Sequence, residues 1–389
     1  MMKNRITLFS LFIGQGLTGS VISMLTLTST LAGNKLAPYP FLSTVPVTST
    51  VLGGAIMVYY ASYLMSSYGR RTAFAIGSII GLFGSVLAAV SMYYEIFSLF
   101  ILSTLILGGA TVFNQYYRFA AAEIFNEDVK KKICTSIIIG GGVIGGVAGP
   151  IIATKGELLI SEHVFLGTFI LSSLVFALSF ISQMFIFIPL GSKKDNDTQN
   201  VKVMDVIQCP GFLIGTMSCA LAFSVMTLVM NATPLAMHHE QFNIEQSANV
   251  LQWHFFWMYA PAFLLPFLIH KIKTASIIQI GSLLFIIGSA FPLFVNDHLG
   301  YIISLSIVGA GWGVMFAGGT FLVNQIVDTK MKYKAQGVNS LSIYVVNFLS
   351  SLSVGFFMNM KNGWIIINLC SVGIMMTFLI YLTYRQSRT

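Results

Sequence analysis

The chain has 389 residues, 56% hydrophobic and only 9% charged, with a formal net charge of +8 and a mean hydropathy of +0.81. Soluble domains carry about a quarter charged residues, so the composition excludes an ordinary globular enzyme, a nucleic-acid-binding module and a disordered protein. The apolar runs are continuous rather than alternating, which favours membrane-spanning helices over a transmembrane barrel.

Asp, Glu, Lys and Arg are costly at the centre of a membrane helix, so stretches free of them serve as the ruler. Twelve such intervals can each cross about 30 Å of hydrocarbon: 6–34, 36–69, 72–94, 96–117, 133–154, 164–192, 206–239, 246–270, 274–296, 298–327, 335–360 and 362–384. The first carries Gln15 and runs on through Thr28 without a small-residue cleavage pattern, so it reads as a permanent helix rather than a signal peptide. After the second comes a loop with Gly69, Arg70 and Arg71. Glycine allows a sharp turn there, and the arginines can bond helix carbonyls or lipid phosphates.

In the fourth span Asn114, Tyr117 and Arg118 share a face, and Glu123 stands near the inner end. An arginine inside a span must find a partner, which makes Arg118 a functional candidate; the alternative is an interfacial arginine reaching lipid phosphates. The fifth span carries Gly141, Gly145 and Gly149 at a four-residue interval, followed by Pro150. That bare face is a tight packing seam, a hinge, or both. In the eighth span His254 and Trp257 share a face. His254 either bonds within the bundle, lines a cavity or carries a proton. The tenth and eleventh spans contribute Asn324 and Asn347.

With the N-terminus in the cytoplasm, only Lys35, Lys155 and Lys361 of the 21 basic residues fall outside, which satisfies the positive-inside rule and puts both termini inside. The one long polar stretch, 191–205, reads as a cytoplasmic linker between a first six-helix half, 1–190, and a second, 206–389. The halves echo each other. Gly77-Ser78 and Gly84-Ser85 recur as Gly281-Ser282 and Gly288-Ser289, and Asn114-Gln115 as Asn324-Gln325, as expected of repeats about an axis along the membrane normal.

Searches for other chemistry come back empty. The four cysteines lack metal-binding spacing, His238-His239-Glu240 reads as a solvated loop, and there is no Gly-Lys pair for a phosphate-binding loop. No metal, cofactor or catalytic constellation is expected. All 13 acidic residues lie between spans or at their ends, and Glu123 comes nearest to a buried carboxylate.

Twelve helices in two halves, the Gly69-Arg70-Arg71 turn and Gly145-x-x-x-Gly149-Pro150 resemble the major facilitator superfamily. The chain departs from that pattern at Met65, where the superfamily's loop motif usually has aspartate, and at Ala153-Thr154, where drug antiporters often have glycines. Tyr117-Arg118-Phe119-Ala120-Ala121-Ala122-Glu123 and the 253–261 segment are similar to stretches of a bacterial subgroup, some of whose members are linked to vitamin or siderophore uptake.

The resemblance implies an all-α polytopic membrane protein of the major facilitator fold that moves a small organic solute across the bacterial inner membrane by alternating access. Proton-coupled uptake is the leading expectation; a toxic-compound exporter or an uncoupled uniporter is the alternative, and a non-transporting receptor comes last. The resemblance also implies a cavity lined by the first, fourth, seventh, eighth, tenth and eleventh helices. Its candidate solute-binding residues are Gln15, Asn114, Tyr117, Arg118, His254, Trp257, Asn324 and Asn347, with His254 and Glu123 as proton carriers. The expected partners are the solute, the lipid bilayer and protons, with no nucleic acid, and the chain is expected to be a monomer.

Overall fold

A computed structural model describes residues 2–39, 42, 45–160, 162–188, 202–268, 271–326, 331–358 and 360–386; most of the expected linker lies outside them. Among the described residues all regular elements are helical, as the composition requires. Ten are long and apolar enough to cross a membrane as they stand. The 49-residue element Val45–Tyr93 contains two helices, because Gly69 (φ 80°, ψ 169°) turns the chain in its middle. A further span is assembled from Ile244–Tyr259 and Pro261–Leu268.

The helices are therefore α1 (Met2–Leu36), α2 (45–68), α3 (70–93), α4 (Phe97–Ala122), α5 (Asp128–Gly140 and Gly142–Leu159) and α6 (Leu166–Gln183). They continue with α7 (Phe212–His239), α8 (Ile244–Tyr259 and Pro261–Leu268), α9 (Thr274–Ala290), α10 (His298–Ile326), α11 (Lys332–Met358) and α12 (Gly363–Gln386).

The charge-free ruler misplaces some ends. Lys3 and Arg5 lie inside α1, Asp128 through Lys132 open α5, and Lys332 and Lys334 open α11. Long charged side chains are tolerated at helix ends, where the heads reach polar surroundings. The break in α8 falls at Pro261, which has no N–H to continue the ladder.

The chain folds into two compact units, Met1–Val206 with Asp328–Tyr344, and Ile207–Val327 with Val345–Thr389. Helix α11 thus begins in the first unit and ends in the second.

In the first unit α1 and α5 approach closely. A Cβ on Gly145 would lie 2.5 Å from the Gly19 carbonyl carbon, and one on Gly149 would collide with Ser23. The Ser23 hydroxyl donates to the Gly145 carbonyl at 2.7 Å. Lipid tails are as apolar as leucine, so van der Waals packing and such hydrogen bonds hold the helices together. Val21, Met24, Phe100, Leu107, Phe169 and Phe176 belong to the apolar cluster of this unit.

In the second unit α10 is the central helix, packed on α7, α8 and α9. Its glycines set the distances: Gly309 faces the His254 carbonyl of α8, Gly311 faces α9 at Phe285, and Gly319 faces α7 at Gly215.

Candidate functional site

The C-terminal half of α4 carries the buried polar residues Asn114, Tyr117 and Arg118. Asn114 is 5% exposed and meets Gln15 of α1, 7% exposed. The Gln15 Nε2 donates to Asn114 Oδ1 at 2.9 Å, while Asn114 Nδ2 donates to the Gln15 carbonyl at 3.2 Å and to Thr18 Oγ1 at 2.5 Å. One turn on, the Tyr117 hydroxyl accepts from Gln183 Nε2 of α6 at 2.6 Å, and Gln183 Oε1 accepts from Ser78 of α3 at 2.9 Å. The Tyr117 ring stands edge-on to Phe74 at 4.5 Å. These pairs tie α4 to α1, α3 and α6.

Arg118 is buried, with Nε donating to the Gln115 carbonyl at 3.1 Å and the guanidinium 4.4 Å from the Phe119 ring centre.

The Gly69 turn aims Arg70 inward, where it is buried, while Arg71 reaches the Met184 sulfur at 3.7 Å. Arg70 Nε and Nη2 both donate to Glu123 Oε1, at 3.2 and 2.5 Å. The same Nη2 donates to Gln336 Oε1 of α11 at 2.6 Å, and Nη1 meets the Met65 sulfur at 2.7 Å. Lys332, also of α11, places its Nζ 3.3 Å from the same Glu123 oxygen. The Tyr333 ring serves both cations, lying 5.0 Å from the Arg70 guanidinium and 4.7 Å from the Lys332 ammonium.

Glu123 lies just past the end of α4. Burial pushes its carboxyl up, but Arg70 and Lys332 together outweigh that and hold it below its ordinary value.

Sequence reasoning picked out Arg70 and Glu123 separately but missed their bond, and it missed Lys332, Tyr333 and Gln336. The sequence held one usable signal: Lys332 and Gln336 are four residues apart, on one face of a helix that begins earlier than the charge-free ruler places it.

In the second unit His254 is fully buried. Its Nδ1 lies 2.8 Å from the Leu305 carbonyl, which can only accept, so Nδ1 carries the hydrogen. Its Nε2 has no hydrogen-bond partner among the described residues. Trp257 is 39% exposed and stands edge-on to Phe256. Asn347 accepts a hydrogen bond from Thr227 of α7 through Oδ1, and the Asn324 amide nitrogen is buried with no partner among the described residues. No group of three or more His, Cys, Asp or Glu suited to a metal occurs among the described residues.

The sequence model of the Major Facilitator Superfamily matches residues 6–351. The chain is 29% identical over 342 residues to the riboflavin transporter RfnT of Brucella anthropi, a match covering 87% of this chain and 85% of that protein. It is 26% identical to the uncharacterized MFS-type transporter YdeG of Bacillus subtilis, with 85% and 80% covered. Among solved structures it is similar to the human organic anion transporter MFSD10, with a TM-score of 0.80 at 12% identity and 97% and 99% of the two chains covered. It is also similar to the outward conformation of FucP, with a TM-score of 0.74, 12% identity, and 96% and 98% covered.

Proposed function

Since the chain belongs to the major facilitator superfamily, a family of multi-pass membrane transporters rather than enzymes, we propose that it imports a vitamin-like organic solute of the flavin class by proton symport and alternating access. The similarity to a riboflavin transporter over most of both chains supports the solute class. The two halves 1–190 and 206–389, joined through 191–205, are the moving bodies of this reading. The protein is a monomer of the bacterial inner membrane with both termini in the cytoplasm, in keeping with the distribution of its basic residues.

The observation that carries the mechanism is the Arg70–Glu123–Lys332–Gln336 cluster. It holds the first turns of α11 by ionic and hydrogen bonds, which can break and re-form. Solute passes the polar and aromatic residues Gln15, Asn114, Tyr117, Arg118, His254, Trp257, Asn324 and Asn347, with Arg118 favouring a neutral or anionic solute. Gly69, Arg70, Arg71 and the Gly141-Gly145-Gly149-Pro150 face serve the conformational change.

Of the two proton-carrier candidates, Glu123 is the one tied to α11. Its lowered pKa means that the cluster's contribution to stability is complete above the ordinary carboxylate value of about 4.3 and is lost as the pH falls through the lowered one. Near neutrality Glu123 therefore takes a proton only once Lys332 and Arg70 have withdrawn, which links the proton to the motion. The His254 Nε2 in the second unit has no hydrogen-bond partner among the described residues.

Uptake of riboflavin into right-side-out vesicles under an imposed pH gradient tests this reading. Accumulation above the outside concentration that collapses with a protonophore, and is lost in Glu123→Gln, is the expected result. Equilibration that ignores the gradient in wild type, Glu123→Gln and His254→Gln would establish a uniporter instead. Flux of an unrelated solute with none of riboflavin would reject the flavin class.

A further inference from the structure

The second unit contains a group of rings that none of the residues above belongs to. Trp312 and Phe316 lie one turn apart on α10, and their rings stack at 4.7 Å with 16° between planes. Phe223 of α7 stands edge-on to both at 5.2 Å. Tyr259 of α8 stands edge-on to Trp312 at 5.6 Å. The indole is held in place from several sides. Gly309 and Gly313 bring α8 onto α10 on either side of it, and Gly311 does the same for α9.

Two features occur together at Trp312. Trp364 on α12 shares the first, a buried indole N–H without an acceptor among the described residues, but it has no ring at a helix break beside it. Trp312 is 3% exposed, yet its indole N–H has no acceptor among the described residues. A buried Trp N–H normally finds a partner, and leaving it unmet is expensive. The second feature is Tyr259. It is only partly buried and is the last residue of the first α8 segment, two positions before Pro261. A proline breaks the ladder there, so Tyr259 sits at a natural bend, where a ring can swing aside with little disturbance to α10.

The surroundings limit what can bind. Helices α7 and α10 carry no Asp, Glu, Lys or Arg anywhere along their length. A charged ring would lose its hydration there without gaining a counter-ion. A flat, uncharged ring meets the first demand by stacking on the indole, and a flexible polar arm attached to that ring can bend to the indole edge and take up the in-plane N–H.

We propose that Trp312 is the stacking floor for an uncharged planar heteroaromatic ring of the transported solute, which displaces Tyr259, while a polar arm carried by that ring supplies the acceptor that the indole N–H lacks among the described residues. This deepens the flavin-class reading and rests on it for the choice of probe.

The test uses the purified full-length protein in detergent, with binding followed through flavin fluorescence. Riboflavin and its bare tricyclic ring, lumichrome, are the probes, and ribitol is the control for the side chain. Wild type is expected to bind both ring compounds and not ribitol. Trp312→Phe keeps a ring and removes the N–H, and should weaken riboflavin about fivefold. Trp312→Leu removes both and should weaken it by about tenfold or more. Tyr259→Ala should bind as tightly as wild type or tighter, and Trp364→Phe, on α12, should leave the Kd unchanged.

Wild-type affinity in both Trp312 variants overturns the proposal and leaves the flavin reading standing. A wild-type protein that binds neither ring compound while transporting some non-planar solute overturns both. If Trp312→Leu does not fold, Trp312→Met takes its place: an unchanged Kd in Trp312→Phe rejects the N–H contact, and an unchanged Kd in Trp312→Met with a normal unfolding temperature rejects the stacking floor.

Discussion

Helices α4 and α10 carry the same Asn-Gln pair, at 114–115 and 324–325, yet the two asparagines live differently. Asn114 gives and receives hydrogen bonds with Gln15 and Thr18 of α1. The Asn324 amide nitrogen meets no partner among the described residues. The contrast extends along both helices. Tyr117 and, beyond the helix end, Glu123 tie α4 to its neighbours through side-chain bonds. On α10 glycines bring the neighbouring helices close, and Trp312, like Asn324, is left with an unmet donor. Where polar side chains bond each other they hold helices together.

The sharpest way to break this contrast is at the ionic end of α4. Replacing Arg70 with Ala leaves Glu123 buried with Lys332 alone and removes the bond to Gln336, so a loss of about 3 kcal/mol or more is expected. Arg70→Lys should not restore it, because a single ammonium lacks the fork that reaches Glu123 and Gln336 together. Thermal unfolding of the purified variants, alongside uptake in vesicles, checks both statements. A variant as stable as wild type would show that the cluster does not hold α11.

Packing gives the next largest effect. Gly145→Leu forces a side chain into the α1 backbone and should cost about 2 kcal/mol. Gly373→Leu on α12 should change the unfolding temperature far less, because nothing lies within 4 Å of a Cβ there. Equal losses in the two variants would point to helix propensity rather than close approach as the cause.

The smallest effect bears directly on the asparagine pair. Asn114→Leu removes three helix-to-helix bonds and should cost about 1 kcal/mol, toward the upper range for such bonds in membranes. Asn324→Leu should leave stability unchanged while lowering uptake. A reversed result, with Asn324→Leu unstable and Asn114→Leu neutral, would exchange the roles given to the two residues.

Much of the architecture is legible in the sequence because charge is so scarce. Each interval between charged residues corresponds to a helix, and Gly69 marks a real turn between two of them. The ends are less legible, since Lys332 and Lys334 are tolerated inside α11. The site is legible only in part. A polar residue in an apolar span stands out, but the sequence does not show whether it bonds a neighbouring helix, as Gln15 does, or is left without a partner among the described residues, as the Asn324 amide nitrogen is. The bond between Arg70, Glu123 and Lys332 joins residues more than two hundred positions apart, and no local pattern announces it. Trp312 is hidden for the opposite reason: in an apolar helix a tryptophan looks like any other packing residue.

The sharing of one carboxylate oxygen by Arg70 and Lys332 also has an electrical side. Two cations and one anion leave the cluster with a surplus of one positive charge, and the neutral amide of Gln336 does not offset it. An elementary charge carried across the whole membrane potential does work of about 2.3 kcal/mol per 100 mV. Even a tenth of that path amounts to a few tenths of a kilocalorie. On the alternating-access reading proposed above, a cluster that opens and closes with α11 is a small gating charge, and the resting voltage of the cell biases which of its states is occupied.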